Sequence, residues 1–232
     1  MSSCSSFTAQ VKINYRQAVS TSNVNDFWTV QVCRRIAAVL VVPMANLTIT
    51  PNQISWLSLA INIGGGYFLL IEKFQLAALL FFLSYIFDCA DGQLALLKNS
   101  VSTYGLYLDL LLDALKEIIT FTILIVIFLN TQYQLLSIIA FFLISLSLIF
   151  DWAHKSVSKI VKPTLTGTRH TFRQKYGIQF WTIAIRYFVI VISLLFAEPQ
   201  WILFYVILIG GYLTAKKGVR ILSLAKKQDI LS

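Results

Sequence analysis

The chain of 232 residues has ten acidic side chains, and five of them crowd into a short stretch: Asp88, Asp91, Asp109, Asp113 and Glu117. The sequence around them is otherwise apolar, IFDCADGQLALL and YLDLLLDALKEI. A carboxylate at the centre of such a helix costs roughly 2.5–3.5 kcal/mol when it enters a bilayer. The nearby Lys98 and Lys116 can pair with one or two of the five, not with all. Asp88 and Asp91 stand at i, i+3, and Asp109 and Asp113 at i, i+4, with Glu117 a turn further. On helices each pair shares a face. Two facing pairs of carboxylates repel unless a cation sits among them, and hard oxygen ligands favour Mg²⁺, Mn²⁺ or Ca²⁺ over zinc. A divalent cation held by carboxylates can polarise a phosphoryl group for transfer.

Small residues are interleaved with the acids. Gly92 follows Asp91, Ala95 lies one turn on, and Gly105 precedes Asp109 by one turn. On a helix face they let a backbone or a flat ligand approach closely. Gly105 by itself reads equally as helix packing. Other chemistries lack their residues. No Ser-His or Cys-His arrangement is present, Cys89 falls on a different helix face from its aspartates and reads as packing, and His154 and His170 have no metal-pair spacing. Three cysteines, Cys4, Cys33 and Cys89, form no disulfide framework.

The elements that position these groups must be membrane helices. The chain is 57% hydrophobic and 12% charged, with a mean hydropathy of +0.74. A soluble domain carries about twice that charge. The sequence therefore predicts an all-α integral membrane protein with six transmembrane helices, near 52–71, 75–97, 104–129, 133–155, 177–197 and 200–222. A polar segment, 1–26, comes first and is no signal peptide. Residues 27–47 read as an interfacial amphipathic helix broken near Pro43. Thr50 can cap the first span and Pro51 suits its first turn. The six-helix catalytic domain covers 48–225, and 226–232 form a tail.

The net charge of +9 reflects topology, not nucleic-acid binding, because the basic residues sit at the ends of apolar runs. The connections near 72–74, 130–132 and 197–199 hold one basic residue, Lys73. The opposite ones hold Arg34, Arg35, Lys98, Lys155, Lys159, Lys162, Arg169, Arg173 and Lys175. The positive-inside rule places both termini and the acidic site on the cytoplasmic side.

Written as a pattern, the residues spell Asp88-x-x-Asp91-Gly92-x-x-Ala95, nine residues, then Gly105-x-x-x-Asp109-x-x-x-Asp113. This closely resembles the signature of the CDP-alcohol phosphotransferase (CDP-alcohol phosphatidyltransferase) family, with seven of its eight fixed positions filled over 26 residues. Thr50-Pro51-Asn52, the preceding interfacial helix and the six spans are also similar to the family. The departure is Leu96, where the family has Arg. Lys98 lies on a different helix face and does not replace it, which leaves the donor's identity open.

The resemblance implies transfer of a substituted phosphate from a CDP-alcohol to an acceptor hydroxyl, with release of CMP. It implies that Asp88, Asp91, Asp109 and Asp113 hold one or two divalent ions, Mg²⁺ or Mn²⁺, with Asp113 also the general base. It implies that Asn52, Asp88, Asp91, Gly92, Ala95 and Gly105 seat the nucleotide, and that the protein is a homodimer. The donor is either CDP-diacylglycerol, with a small alcohol as acceptor, or a CDP-linked head group, with a lipid or polyol as acceptor.

Candidate acceptor-binding residues are Lys116, Lys155 and Arg186. Arg186 is mid-span and must face protein or a cavity, paired with Asp151 or with a substrate phosphate. Lys116 reads equally as a salt-bridge partner of the acidic group. Lys155, Lys159, Lys216 and Lys217 lie at interfacial depth, where snorkelling to lipid phosphate competes with substrate binding. The principal rival from another class is a divalent-cation transporter or channel. It explains the intramembrane aspartates but not Gly92, Ala95 and Gly105 at their spacing. A catalytically inactive relative, suggested by Leu96, does not explain why all four aspartates are present.

Overall fold

A computed structural model describes residues 28–161 and 182–229. Among these every regular element is helical. A π-helical turn, Thr29–Cys33, leads into α1, Arg34–Met44. There follow α2 (Pro51–Leu70), α3 (Phe74–Leu97), α4 (Thr103–Ile127), α5 (Gln134–Val161) and α6 (Ile183–Leu195). The last helix runs from Gln200 as α7 (Gln200–Tyr205), passes through a π-helical turn at Val206–Gly210, and continues as α8 (Gly211–Asp229). The polar segment 1–26, the basic connection from Lys162 to Lys175 with His170, and the start of the fifth expected span lie outside the described residues. So do the side chains of His154 and Lys155.

Among the described residues, three helices are long and apolar enough to cross a membrane: Phe74–Leu97, Gln134–Asp151 and Gln200–Val219. The expected spans at α2 and α4 form helices of 20 and 25 residues. Their composition makes them less apolar than these three. α4 carries Asp109, Asp113, Lys116 and Glu117, and α2 carries Asn52, Gln53, Ser55, Ser58 and Asn62.

Local sequence sets the helix ends around the site. Thr50 and Gln53 form a reciprocal capping box, with Pro51 in the first turn of α2. Pro43 lies inside the last turn of α1, which ends one residue later, and its missing amide leaves Val39 O without an i→i−4 donor. Beyond the Lys98 C-cap of α3, Asn99 takes a positive φ of 50°. The Ser100 amide donates back to Ala95 O and the Asn99 amide to Leu96 O, the paired bonds of a Schellman ending. Ser102 then caps α4 by accepting from the Gly105 amide at 3.0 Å. The turn between α3 and α4 is thus fixed at both ends.

α2 packs closely against both α3 and α4, whereas α3 and α4 meet mainly through side chains. Glycines make room for this arrangement. A Cβ on Gly65 would stand 3.2 Å from the Phe81 ring of α3, and one on Gly66 would stand 2.5 Å from Ile123 Cδ1 of α4. Ser58 donates to Ser84 O and Ser84 to Ser58 O, both at 2.9 Å, and this reciprocal pair clamps α2 to α3. α3 also supports α1 and α6, and α5 packs on α4 and α8. Ala37 and Val41 of α1 pack with Ile86, Ala90 and Leu94 of α3. Lys98 donates to the carbonyls of Leu47 and Ile49 at 2.5 and 2.7 Å, tying the connection between α1 and α2 to the end of α3.

Candidate active site

Asp88, Asp91 and Asp109 converge in the gap that α2 keeps open between α3 and α4. Each offers a carboxylate oxygen, and the three oxygens lie within 4.8 Å of one another. Asp91 is buried and accepts a 2.5 Å hydrogen bond from Ser55 Oγ of α2. Three anionic oxygens at this spacing form a hard donor set, and that chemistry fits a divalent cation.

Asp113, expected as the fourth ligand, stands outside this group of three. Its Oδ1 accepts from Lys116 Nζ at 3.1 Å, and the same ammonium is bonded to Asp88 Oδ1. Lys116 is buried, with a side chain 3% exposed. Asp113 therefore joins the three through Asp88, which its carboxyl group meets directly and with which it shares Lys116.

A cavity of about 260 Å³ opens beside the carboxylates. Asn52 and Ser55 of α2, Asp91, Gly92 and Ala95 of α3, and Gly105 and Asp109 of α4 all line it. All the expected nucleotide-seating residues except Asp88 meet in this one place. A Cβ on Gly92 would meet no protein atom within 4 Å, so this glycine leaves space for something other than the chain. Gly105 differs, since its Cβ would stand 3.1 Å from Ser102 Oγ and 3.5 Å from Asn52 Oδ1. Packing at the helix cap accounts for it as well as a ligand does. Leu96 also lines the cavity and, with Val101 and Leu106, makes part of its wall apolar.

With this geometry established, comparison with known families is decisive. The family model described as CDP-alcohol phosphatidyltransferase matches residues 48–214. The chain belongs to that family. No curated protein matches it significantly. Membership makes the protein a transferase of phosphate-containing groups, with a role in phospholipid synthesis, and implies a CDP-alcohol donor and an alcohol acceptor. The family generally uses divalent metal ions, in agreement with the aspartate group. The three apolar helices and the family together identify an integral membrane protein.

Two of the acceptor candidates, Arg186 and Lys116, take part in buried ion pairs. Arg186 is buried and pairs with Glu117 at 2.8 Å, both side chains 3% exposed. Asp151, one of the partners expected for Arg186, is bonded to Lys217 of α8. Lys116 takes the salt-bridge role through Asp88 and Asp113. Lys98 is committed to backbone carbonyls and does not stand in for the family Arg. Cys89 packs against the core, as expected. Cys33 is fully buried, and burial pushes its thiol up to about 12, which keeps it unreactive.

Ser55 was missed from sequence. It lies one helical turn after Asn52, on the same face of α2. The polar pair Asn52 and Ser55 at i, i+3 in an apolar span is the signal that could have found it.

Proposed function

We propose that this protein transfers a substituted phosphate group from a CDP-alcohol to an acceptor hydroxyl and releases CMP. One observation carries the reading. A cavity lined by Asn52, Gly92, Ala95 and Gly105 runs into a group of three carboxylates, and all of these but Asn52 stand on positions that the family signature fixes. Asp88, Asp91 and Asp109 would hold the divalent cation, Mg²⁺ or Mn²⁺, and Asp113 completes the acidic set. When bound, the cation would polarise the donor pyrophosphate and offset charge on the departing CMP.

The chain's own residues do the remaining work. Gly92 and Ala95 let the nucleotide lie against α3, and Asn52 faces it from α2. The acceptor oxygen attacks the phosphorus distal to cytidine, the bond from that phosphorus to the CMP oxygen breaks, and Asp113 takes the hydroxyl proton. Lys116 fixes the Asp113 carboxylate in place. No covalent enzyme intermediate is required. The donor is CDP-diacylglycerol or a CDP-linked head group, and the acceptor is a small alcohol or a lipid.

In the bilayer, α2 to α6 and the Gln200–Asp229 helix supply six spans, with residues 27–47 lying at the interface ahead of them. Residues 48–225 form the catalytic domain, flanked by the polar segment 1–26 and the tail 226–232. The basic connections put both termini and the site on the cytoplasmic side. The protein works as a homodimer.

The test is CMP release by the purified chain in lipid, with a panel of CDP-alcohols and acceptors and product lipids identified by mass spectrometry. Release that requires Mg²⁺ and is abolished in Asp113→Asn supports the reading. Ion flux without CMP release would sink it in favour of transport, and full activity in Asp113→Asn would remove Asp113 as the base.

A further inference from the structure

We propose that the acceptor is an uncharged alcohol, one that carries no phosphate of its own. The inference deepens the function proposed above and rests on it. The nucleotide cavity is lined by Asn52, Ser55, Asp91, Gly92 and Gly105 but not by Asp113. Asp113 stands off that cavity, with Lys116 at 3.1 Å and the buried Glu117 and Arg186 beyond it. An acceptor that gives its proton to Asp113 therefore rests against these groups. Among the described residues of α4, α6 and α8, each cation inside the bundle is already neutralised by a carboxylate. Lys116 is bonded to Asp88 and to Asp113, Arg186 pairs with Glu117 at 2.8 Å, and Lys217 pairs with Asp151. The charge of Asp151 also reaches Glu117.

A phosphate on the acceptor would have to take one of these cations from its partner. Glu117 has a side chain 3% exposed, so losing Arg186 would strand a buried carboxylate beside the incoming anion, which is strongly unfavourable. A hydroxyl makes no such demand and needs only a hydrogen-bond partner. Two uncharged groups on this side of α4 offer one. The Asn62 amide donates to Tyr187 Oη at 3.0 Å, and its Oδ1 is buried without a hydrogen-bond partner. Thr214 Oγ1, one turn before Lys217 on α8, is buried and unpartnered in the same way. Such atoms gain from a hydroxyl that bonds them.

The experiment sets matched acceptors against each other. The full-length chain in phosphatidylcholine vesicles with Mg²⁺ is given CDP-diacylglycerol or CDP-glycerol. CMP release is followed with glycerol against glycerol phosphate, inositol against inositol phosphate, and monoacylglycerol against lysophosphatidic acid. In the pair that reacts best, kcat/KM is expected to be roughly 10-fold or more higher for the uncharged member. Equal values, or a preference for the phosphate-bearing member, overturn the proposal and leave the phosphotransfer reading standing. Glu117→Gln keeps the shape of the side chain and releases Arg186, so it is expected to move that ratio roughly 10-fold toward the phosphate-bearing member. An unchanged ratio in folded Glu117→Gln overturns the proposal too, and the wild-type ratio decides where the variant does not fold. No CMP release above the acceptor-free rate with any of the six removes the phosphotransfer reading, and this inference with it.

Discussion

Ser55 Oγ of α2 donates to Asp91 Oδ2 of α3 at 2.5 Å, in a buried contact. The bond fixes one carboxylate of the convergent group against the helix that also presents Asn52 to the cavity. Ser55→Ala removes the donor and leaves the carboxylate free to rotate. A hydrogen bond to a charged group contributes about 1.5–3 kcal/mol, so kcat/KM for CMP release is expected to fall roughly 10- to 100-fold. Ser55→Thr keeps the hydroxyl and should retain most of the activity.

Gly92 separates folding from ligand binding. An added Cβ meets no protein atom, and alanine is favoured over glycine within a helix by about 0.8–1.0 kcal/mol. Gly92→Ala is therefore expected to raise thermal stability in detergent slightly while weakening CDP binding. Gly92→Leu should fold as well and bind no CDP. Thermal melts and calorimetric CDP titration on the same preparations check both halves.

Leu96 gives the cavity an apolar wall at the position where the family signature has Arg. Leu96→Arg adds a guanidinium beside Asp91 and Asp109, able to reach a phosphate in bidentate fashion. The expected outcome is CDP bound roughly 10-fold more tightly, the gain of about one charge-assisted hydrogen bond. Unchanged CDP affinity would show that the wall at residue 96 does not face the nucleotide phosphates.

The Glu117–Arg186 pair joins α4 to α6 where both side chains are buried. Removing one partner strands the other charge, so Glu117→Ala is expected to cost about 3–5 kcal/mol. Glu117→Met combined with Arg186→Leu removes both charges and should be more stable than either single change. Unfolding of the four proteins in one detergent gives the comparison. A double mutant as unstable as the sum of the singles would exclude coupling.

How much of this was legible beforehand depended on range along the chain. Thr50 and Pro51 announced the start of α2 because capping is decided within four residues. The aspartates announced themselves by helical spacing, since a carboxylate in an apolar span has few alternative explanations. The partners of Lys116 and Arg186 were harder. A lysine three residues after Asp113 can reach it, but its second bond, to Asp88, depends on how α3 and α4 face each other across α2. Arg186 had Asp151 as the nearer acid in sequence, yet tertiary packing brought Glu117 to it. The position of α2 between the two acidic helices was the least legible feature, because it follows from Gly65, Gly66 and the Ser58–Ser84 contact together. That position is also why Ser55 belongs to the site.

The reciprocal Ser58–Ser84 clamp has a mechanical consequence. It makes α2 and α3 a single stiff plate, so Asn52, Ser55, Asp91, Gly92 and Ala95 keep a constant spacing whatever enters the cavity. The opposite wall, the Ser100–Asp109 segment, is held in turn by the Asn99 ending of α3 and the Ser102 cap of α4, so the cavity is preformed from both sides.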